Sequence, residues 1–165
     1  MASMVSSSAV NLVDQSSGGD DVYVASVPLR AAKGPAQLLM STAYNLSLWD
    51  LQHFMVIIKP ASPPHSQVCA FDFQPIDPEN IYVALAALSG RPVPGVVLAR
   101  NMARIPRTRC WFVGRVDGGA IERSYEFNES WQSGLRIGSH DCRDYANGLL
   151  EHLTQKKRFL EQLRG

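Results

Sequence analysis

The chain has almost no surplus of charge: 16 lysines and arginines stand against 15 aspartates and glutamates, a formal net charge of +1. Without a basic excess there is no electrostatic ground for nucleic acid as a partner. Cysteine is scarce as well. The three, Cys69, Cys110 and Cys142, lie far apart and none belongs to a CxxC pair. That argues against a secreted disulfide framework and against a structural zinc site. A reducing intracellular compartment is expected, the cytoplasm first and a plastid second. Long apolar runs are missing too. The strongest, FMVII at 54–58, is only strand length, against the ~20 residues a membrane helix needs. No transmembrane segment is expected.

What is present suffices for a core: 45% of the 165 residues are hydrophobic and 19% are charged. The start, MASMVSSSAVNLV, is rich in serine and alanine, has no acid before Asp14 and lacks arginine. Residues 1–20 read as a disordered tail or a short targeting segment, and 21–165 as a single globular domain.

Along that domain, DVYVASVPLR (21–30) alternates and meets Pro28, which predicts a strand. GPAQLLMSTAYNLS (34–47) has Pro35 in the first-turn position of a helix. LQHFMVIIKP (51–60) is apolar on both faces after His53 and predicts a central strand. ASPPHS is a turn, and QVCAFDFQP (67–75) the return strand of a hairpin. DPENIYVALAALSG (77–90) predicts a helix capped by Asp77 and stopped by Gly90, with Ile81, Tyr82, Leu85 and Leu88 buried. VPGVVLAR (93–100) predicts a strand. RTRCWFVGRV (107–116) and AIERSYEF (120–127) flank DGG and predict a hairpin. After a connection over 128–139, a last helix is predicted from about Asp141 to Leu163. Strands and helices do not alternate strictly, so the class is α+β: a small antiparallel sheet with packed helices.

The chemistry is concentrated in GSHDCRDYANGLLEHLT, 138–154. With either Asp141 or Ser139 as N-cap, Cys142 falls in the first turn of the last helix. Free N–H groups and the helix dipole there favour a thiolate and can stabilise an oxyanion. An acid at 141 works against the thiolate. A nucleophilic thiol also needs a base. Of the four histidines, His140 would point away from the cysteine's face, His152 is almost three turns on, and His65 sits in the turn. His53, opening the most apolar strand, remains. Asp72 is an isolated acid in the neighbouring apolar strand, costly there unless paired, and suited to orient an imidazole. The alternative reading is structural: Cys142, Tyr145, Ala146, Leu149 and Leu153 also make an ordinary apolar stripe, and Asp72 could pair with an arginine instead. Arg100, Arg104, Arg107 and Arg109 form the one basic cluster, read either as a solvated loop or as a site for an acidic peptide or a phosphate. A metal held by Cys142, His53 and His140 lacks ligand spacing and ranks last. No cofactor is expected.

The pair His53-Phe54, opening an apolar strand, and the later Asp141-Cys142-Arg143-Asp144-Tyr145, opening a helix, resemble the circularly permuted papain-like superfamily. That superfamily includes the lecithin:retinol acyltransferase-like, NlpC/P60-related and PPPDE proteins. The resemblance covers about 50–154. It implies a thiol hydrolase or acyltransferase with Cys142 as nucleophile, His53 as base and Asp72 as orienting group. The substrate would be a peptide, protein or acyl compound carrying an amide, isopeptide or ester. The chain departs from the pattern in having Asp141 where asparagine is usual and Asp144 where a histidine often stands. Asp72 lies closest to the place of the second histidine of the acyltransferase-like members. The alternative on the same scaffold is a non-catalytic module that binds a protein partner.

Overall fold

The computed structural model describes residues 18–28, 52–61 and 67–163. The helix predicted at 34–47, most of the 61–66 turn with His65, and all but the end of the 1–20 tail lie outside the described residues. Six strands and four helices are described: β1 Asp20–Pro28, β2 Gln52–Lys59, β3 Val68–Pro75, α1 Ile81–Leu88, β4 Val93–Met102, β5 Cys110–Val116, α2 Ala120–Ser130, β6 Gly134–Leu135, α3 Cys142–Thr154 and α4 Phe159–Gln162. The strands form one open antiparallel sheet in the order β5-β1-β2-β3-β4-β6. The class is therefore mixed α+β, and β2 is central, as its two apolar faces require.

Alternation along the strands sends side chains to opposite faces. Val22, Val24, Phe54, Val56, Ile58, Cys69, Phe71 and Phe73 build the main core, against Tyr145, Ala146, Leu149, Leu150 and Leu153 of α3. The fully buried Tyr145 also donates its hydroxyl to Asn128 Oδ1 at 2.6 Å, which ties α3 to α2. The other face carries a smaller cluster, Ala25, Met55, Ile57, Val68 and Ala70, with Met102, Ile105 and Cys110 packed on it.

Three predicted elements differ. The segment 120–127 is helix α2, not the second arm of a hairpin. Ala120, Ser124 and Phe127 recur at helical spacing and turn to the core. Gly119 takes φ +88, which only glycine adopts freely, and the buried Asp20 carboxylate accepts the Ala120 N–H at 3.0 Å. Helix α1 begins after Asn80, whose side chain accepts from Tyr82 and Val83 N–H, rather than at Asp77. Its buried side is Ala84 and Ala87, while Tyr82 and Leu85 are exposed at 79% and 49%. A short helix laid near β4 turns its small residues inward and its large ones out. Finally, the last helix is two: α3 stops at Gln155, φ +61, and α4 starts after Arg158, φ +51. These two left-handed residues break a segment whose charge pattern alone reads as continuous.

Candidate active site

Pairing between β2 and β3 runs only from Ile58–Cys69 to Val56–Phe71. Beyond it, β2 continues against β1 down to Gln52 and β3 continues against β4 up to Pro75. Where the ladder stops, side chains bridge the two strands. His53 Nε2 donates to Asp72 Oδ2 at 2.7 Å, and Arg100 Nη2 donates to Asp72 Oδ1 at 2.9 Å. Asp72 is fully buried, and His53 is 8% exposed. A lone carboxylate there would cost several kcal/mol, on the order of the penalty for an unpaired buried ion; two charge-assisted hydrogen bonds remove the problem. Alternation places His53 with Met55 and Ile57, and Asp72 with Ala70 and Val68, on the face away from α3.

Cys142 arrives from the other face. Asp141 is the N-cap of α3. Its side chain accepts from Arg143 and Asp144 N–H, and Asp144 reaches back to the Asp141 N–H at 3.0 Å, completing a capping box. Of the two caps weighed on the sequence, the structure has Asp141, so Cys142 is the first helical residue. Its Sγ–H donates to the Gln52 carbonyl at 3.4 Å, at the start of β2. The thiol is partly buried and packs against the main core. Gln52 precedes His53 in β2, and Cys142 is among the groups that raise the His53 imidazole. The structure thus gathers the Cys142 thiol, the His53 imidazole and the buried Asp72 carboxylate where the β2–β3 ladder stops.

The electrostatics follow from the packing. Burial works most strongly on His53 and disfavours its charge, but the hydrogen bond to Asp72, the contact with Cys142 and the charges of both outweigh it. The imidazole is raised from 6.5 to about 9. Burial raises the Asp144 carboxyl above its ordinary value, against the hydrogen bond it accepts from the Asp141 backbone. Burial also raises the thiols of Cys69 and Cys110, so these two are poorer nucleophiles than an ordinary cysteine. All three cysteines are free.

The other two histidines among the described residues are elsewhere. His140 stacks on Trp131 at 4.2 Å between centroids and its Nε2 bonds the Gln132 carbonyl, while His152 packs against Phe127. Two contributors were not singled out for this site from the sequence. Gln52 acts through its backbone carbonyl, for which there is no side-chain signal. Arg100 left a legible one: a charged residue ending an apolar strand, in the same segment as a pairing sought by Asp72. Arg143 lies over the Phe54 ring at 5.3 Å, beside the thiol. Among the described residues no group of three or more His, Cys, Asp or Glu side chains is arranged to hold a metal ion, and no helix is long and apolar enough to cross a membrane.

Fold and site together define a mixed α+β protein with a helix-borne thiol set against a carboxylate-held imidazole. Comparison with protein-family models, with curated proteins and with solved structures finds no match.

Proposed function

We propose that the chain is a cysteine-dependent hydrolase or acyltransferase acting on an amide, isopeptide or ester, on a scaffold of the circularly permuted papain-like kind. The observation that carries this reading is one imidazole, His53, held at Nε2 by a fully buried carboxylate and adjacent in sequence to Gln52, whose carbonyl takes the thiol of Cys142 at a helix N-terminus.

In this reading His53, raised to about 9, carries the proton given up by the thiol as an imidazolium, and the Cys142 sulfur attacks the substrate carbonyl carbon. The negative charge passes to the carbonyl oxygen. In this reading the Cys142 N–H, rather than the Arg143 and Asp144 N–H groups held by Asp141, meets that oxyanion. The imidazolium then protonates the departing amine or alcohol, leaving a thioester on Cys142. Water, or a second nucleophile, loses its proton to His53 and attacks the thioester. The thiolate leaves and the acid, or the transferred acyl group, is released. Asp72 accepts the hydrogen bond from Nε2 and so fixes the ring's orientation.

One observation favours the alternative, a non-catalytic module that binds a protein partner. The Cys142 thiol donates to the Gln52 carbonyl, as a structural cysteine would. Trapping decides between the two. The chain is incubated with p-nitrophenyl acetate, quenched in acid and analysed by peptide mass spectrometry. A hydroxylamine-labile acetyl group on Cys142, absent in His53→Ala, supports the enzyme. No adduct on Cys142, or one formed equally without His53, supports the module.

A further inference from the structure

The stretch 91–116 holds Arg91, Arg100, Arg104, Arg107, Arg109 and Arg115 and no aspartate or glutamate, in a chain whose net charge is +1. Its path explains where that charge goes. β4 ends at Met102, beside Val68 of β3, and β5 begins at Cys110, beside Ala25 of β1. In the sheet order β1, β2 and β3 lie between β5 and β4. Residues 103–109 must therefore cross four strand spacings, about 19 Å. Ile105 packs on the cluster of Met55 and Ile57, so the crossing runs over the face that carries His53 and Asp72.

The far end of this strap is linked to the thiol through two intervening residues, Ser26 and Gln52. Ser26 N–H donates to the Arg109 carbonyl at 2.9 Å, Ser26 Oγ donates to Gln52 Oε1 at 2.8 Å, and the Gln52 carbonyl faces Cys142 Sγ. Arg104, Arg107 and Arg109 are exposed, and none has a carboxylate partner among the described residues. A cavity of about 590 Å³ is lined by Met102, Ala103, Arg104, Ile105, Pro106 and Arg107. The acids nearest the thiol do not neutralise the strap: Asp72 is paired with Arg100 and His53, and Asp141 and Asp144 are turned into their own helix cap.

The geometry points to the 103–109 strap as the docking surface for an acidic, extended segment of a polypeptide substrate, leading its scissile bond to Cys142. This rests on the thiol-enzyme reading and narrows its substrate class. Three separate cations within a crossing of about 19 Å match an extended segment of at most about six residues. It is too short, and too little backed by charge elsewhere, for a nucleic-acid track, which draws on many phosphate contacts.

The test is fluorescence anisotropy on the full chain with labelled hexaglutamate, using hexalysine and an oligouridylate of equal length as controls. Hexaglutamate is expected to bind, to be displaced by salt, and to lose at least about tenfold in affinity in Arg104→Glu/Arg107→Glu/Arg109→Glu. The triple Arg→Gln change, which removes charge without reversing it, is the second variant should the first fail to fold, and is expected to weaken binding in the same direction. Cys142→Ala is expected to bind as the wild type does. Equal binding of hexaglutamate and hexalysine, or binding unmoved by the arginine changes, overturns the proposal; tighter binding of oligouridylate overturns it in favour of a nucleic-acid surface. Arginine-dependent peptide binding together with an unacylated Cys142 would sink the enzyme reading while leaving an acidic-peptide surface in place.

Discussion

Asp72→Asn keeps the shape of a fully buried side chain and deletes its charge. In the wild type one carboxylate oxygen takes His53 Nε2 at 2.7 Å and the other takes Arg100 at 2.9 Å. An amide offers one oxygen. If that oxygen stays on Arg100, an NH2 group faces Nε2, and the ring can accept only by being neutral with its proton on Nδ1. The base is thereby weakened and its tautomer reversed. The energetic consequence is readable against pH. His53 has its folded value raised to about 9 from 6.5. A raised value means stability that is fully present below about 6.5 and is lost as pH climbs through about 9. The interval corresponds to about 3 kcal/mol. In the variant burial acts without the carboxylate, the value falls from about 9, and this loss shrinks with it. Urea unfolding near pH 6 and near pH 9.5 measures it. The stability gap between wild type and Asp72→Asn is expected to be wider at the lower pH, by up to about 3 kcal/mol. Parallel pH curves would refute the reasoning.

Other substitutions probe the neighbouring supports. Arg100→Ala leaves Asp72 with His53 alone; because Arg100 is half exposed and screened by solvent, a loss of only about 1 kcal/mol is expected in urea unfolding, with slower alkylation of Cys142 at neutral pH that Arg100→Lys partly restores. Asp20→Ala strands the Ala120 and Ala61 N–H groups, held at 3.0 Å and 3.2 Å, and is expected to cost about 1–3 kcal/mol, seen as a lower urea midpoint with an unchanged slope. In Gly95→Ala the new Cβ would lie 2.6 Å from Phe73 Cε2 and 2.8 Å from the Ser133 carbonyl, so thermal unfolding should report a loss of about 1–3 kcal/mol.

Much of the site was legible because its residues violate their surroundings. An acid in CAFDFQ and a histidine opening HFMVIIK are conspicuous in apolar strands, and a cysteine after aspartate at a helix start marks a first turn. The pairing of β2 with β3, and the central place of β2, followed from strand signals and a short turn. What was not legible depends on tertiary contact. AIERSYEF passes as a strand because it follows the DGG turn signal, and only the Asp20 carboxylate, a hundred residues earlier in sequence, shows what caps it as a helix. Tyr82 and Leu85 look like core residues until the sheet edge chooses the alanine side of α1. The gap in the β2–β3 ladder, which lets an imidazole on one face meet a thiol from the other, leaves no trace in composition or period.

The thiol–imidazole pair itself is tested most directly by the pH dependence of iodoacetamide alkylation at Cys142, followed by mass spectrometry in the wild type and in His53→Ala. Cys69 and Cys110, with thiols raised by burial, serve as slow internal references. Labelling of Cys142 that is already fast below pH 7, and slowed by removing His53, is the expected result. Labelling only above about pH 8, or none in the folded protein, with no response to His53→Ala, would contradict it.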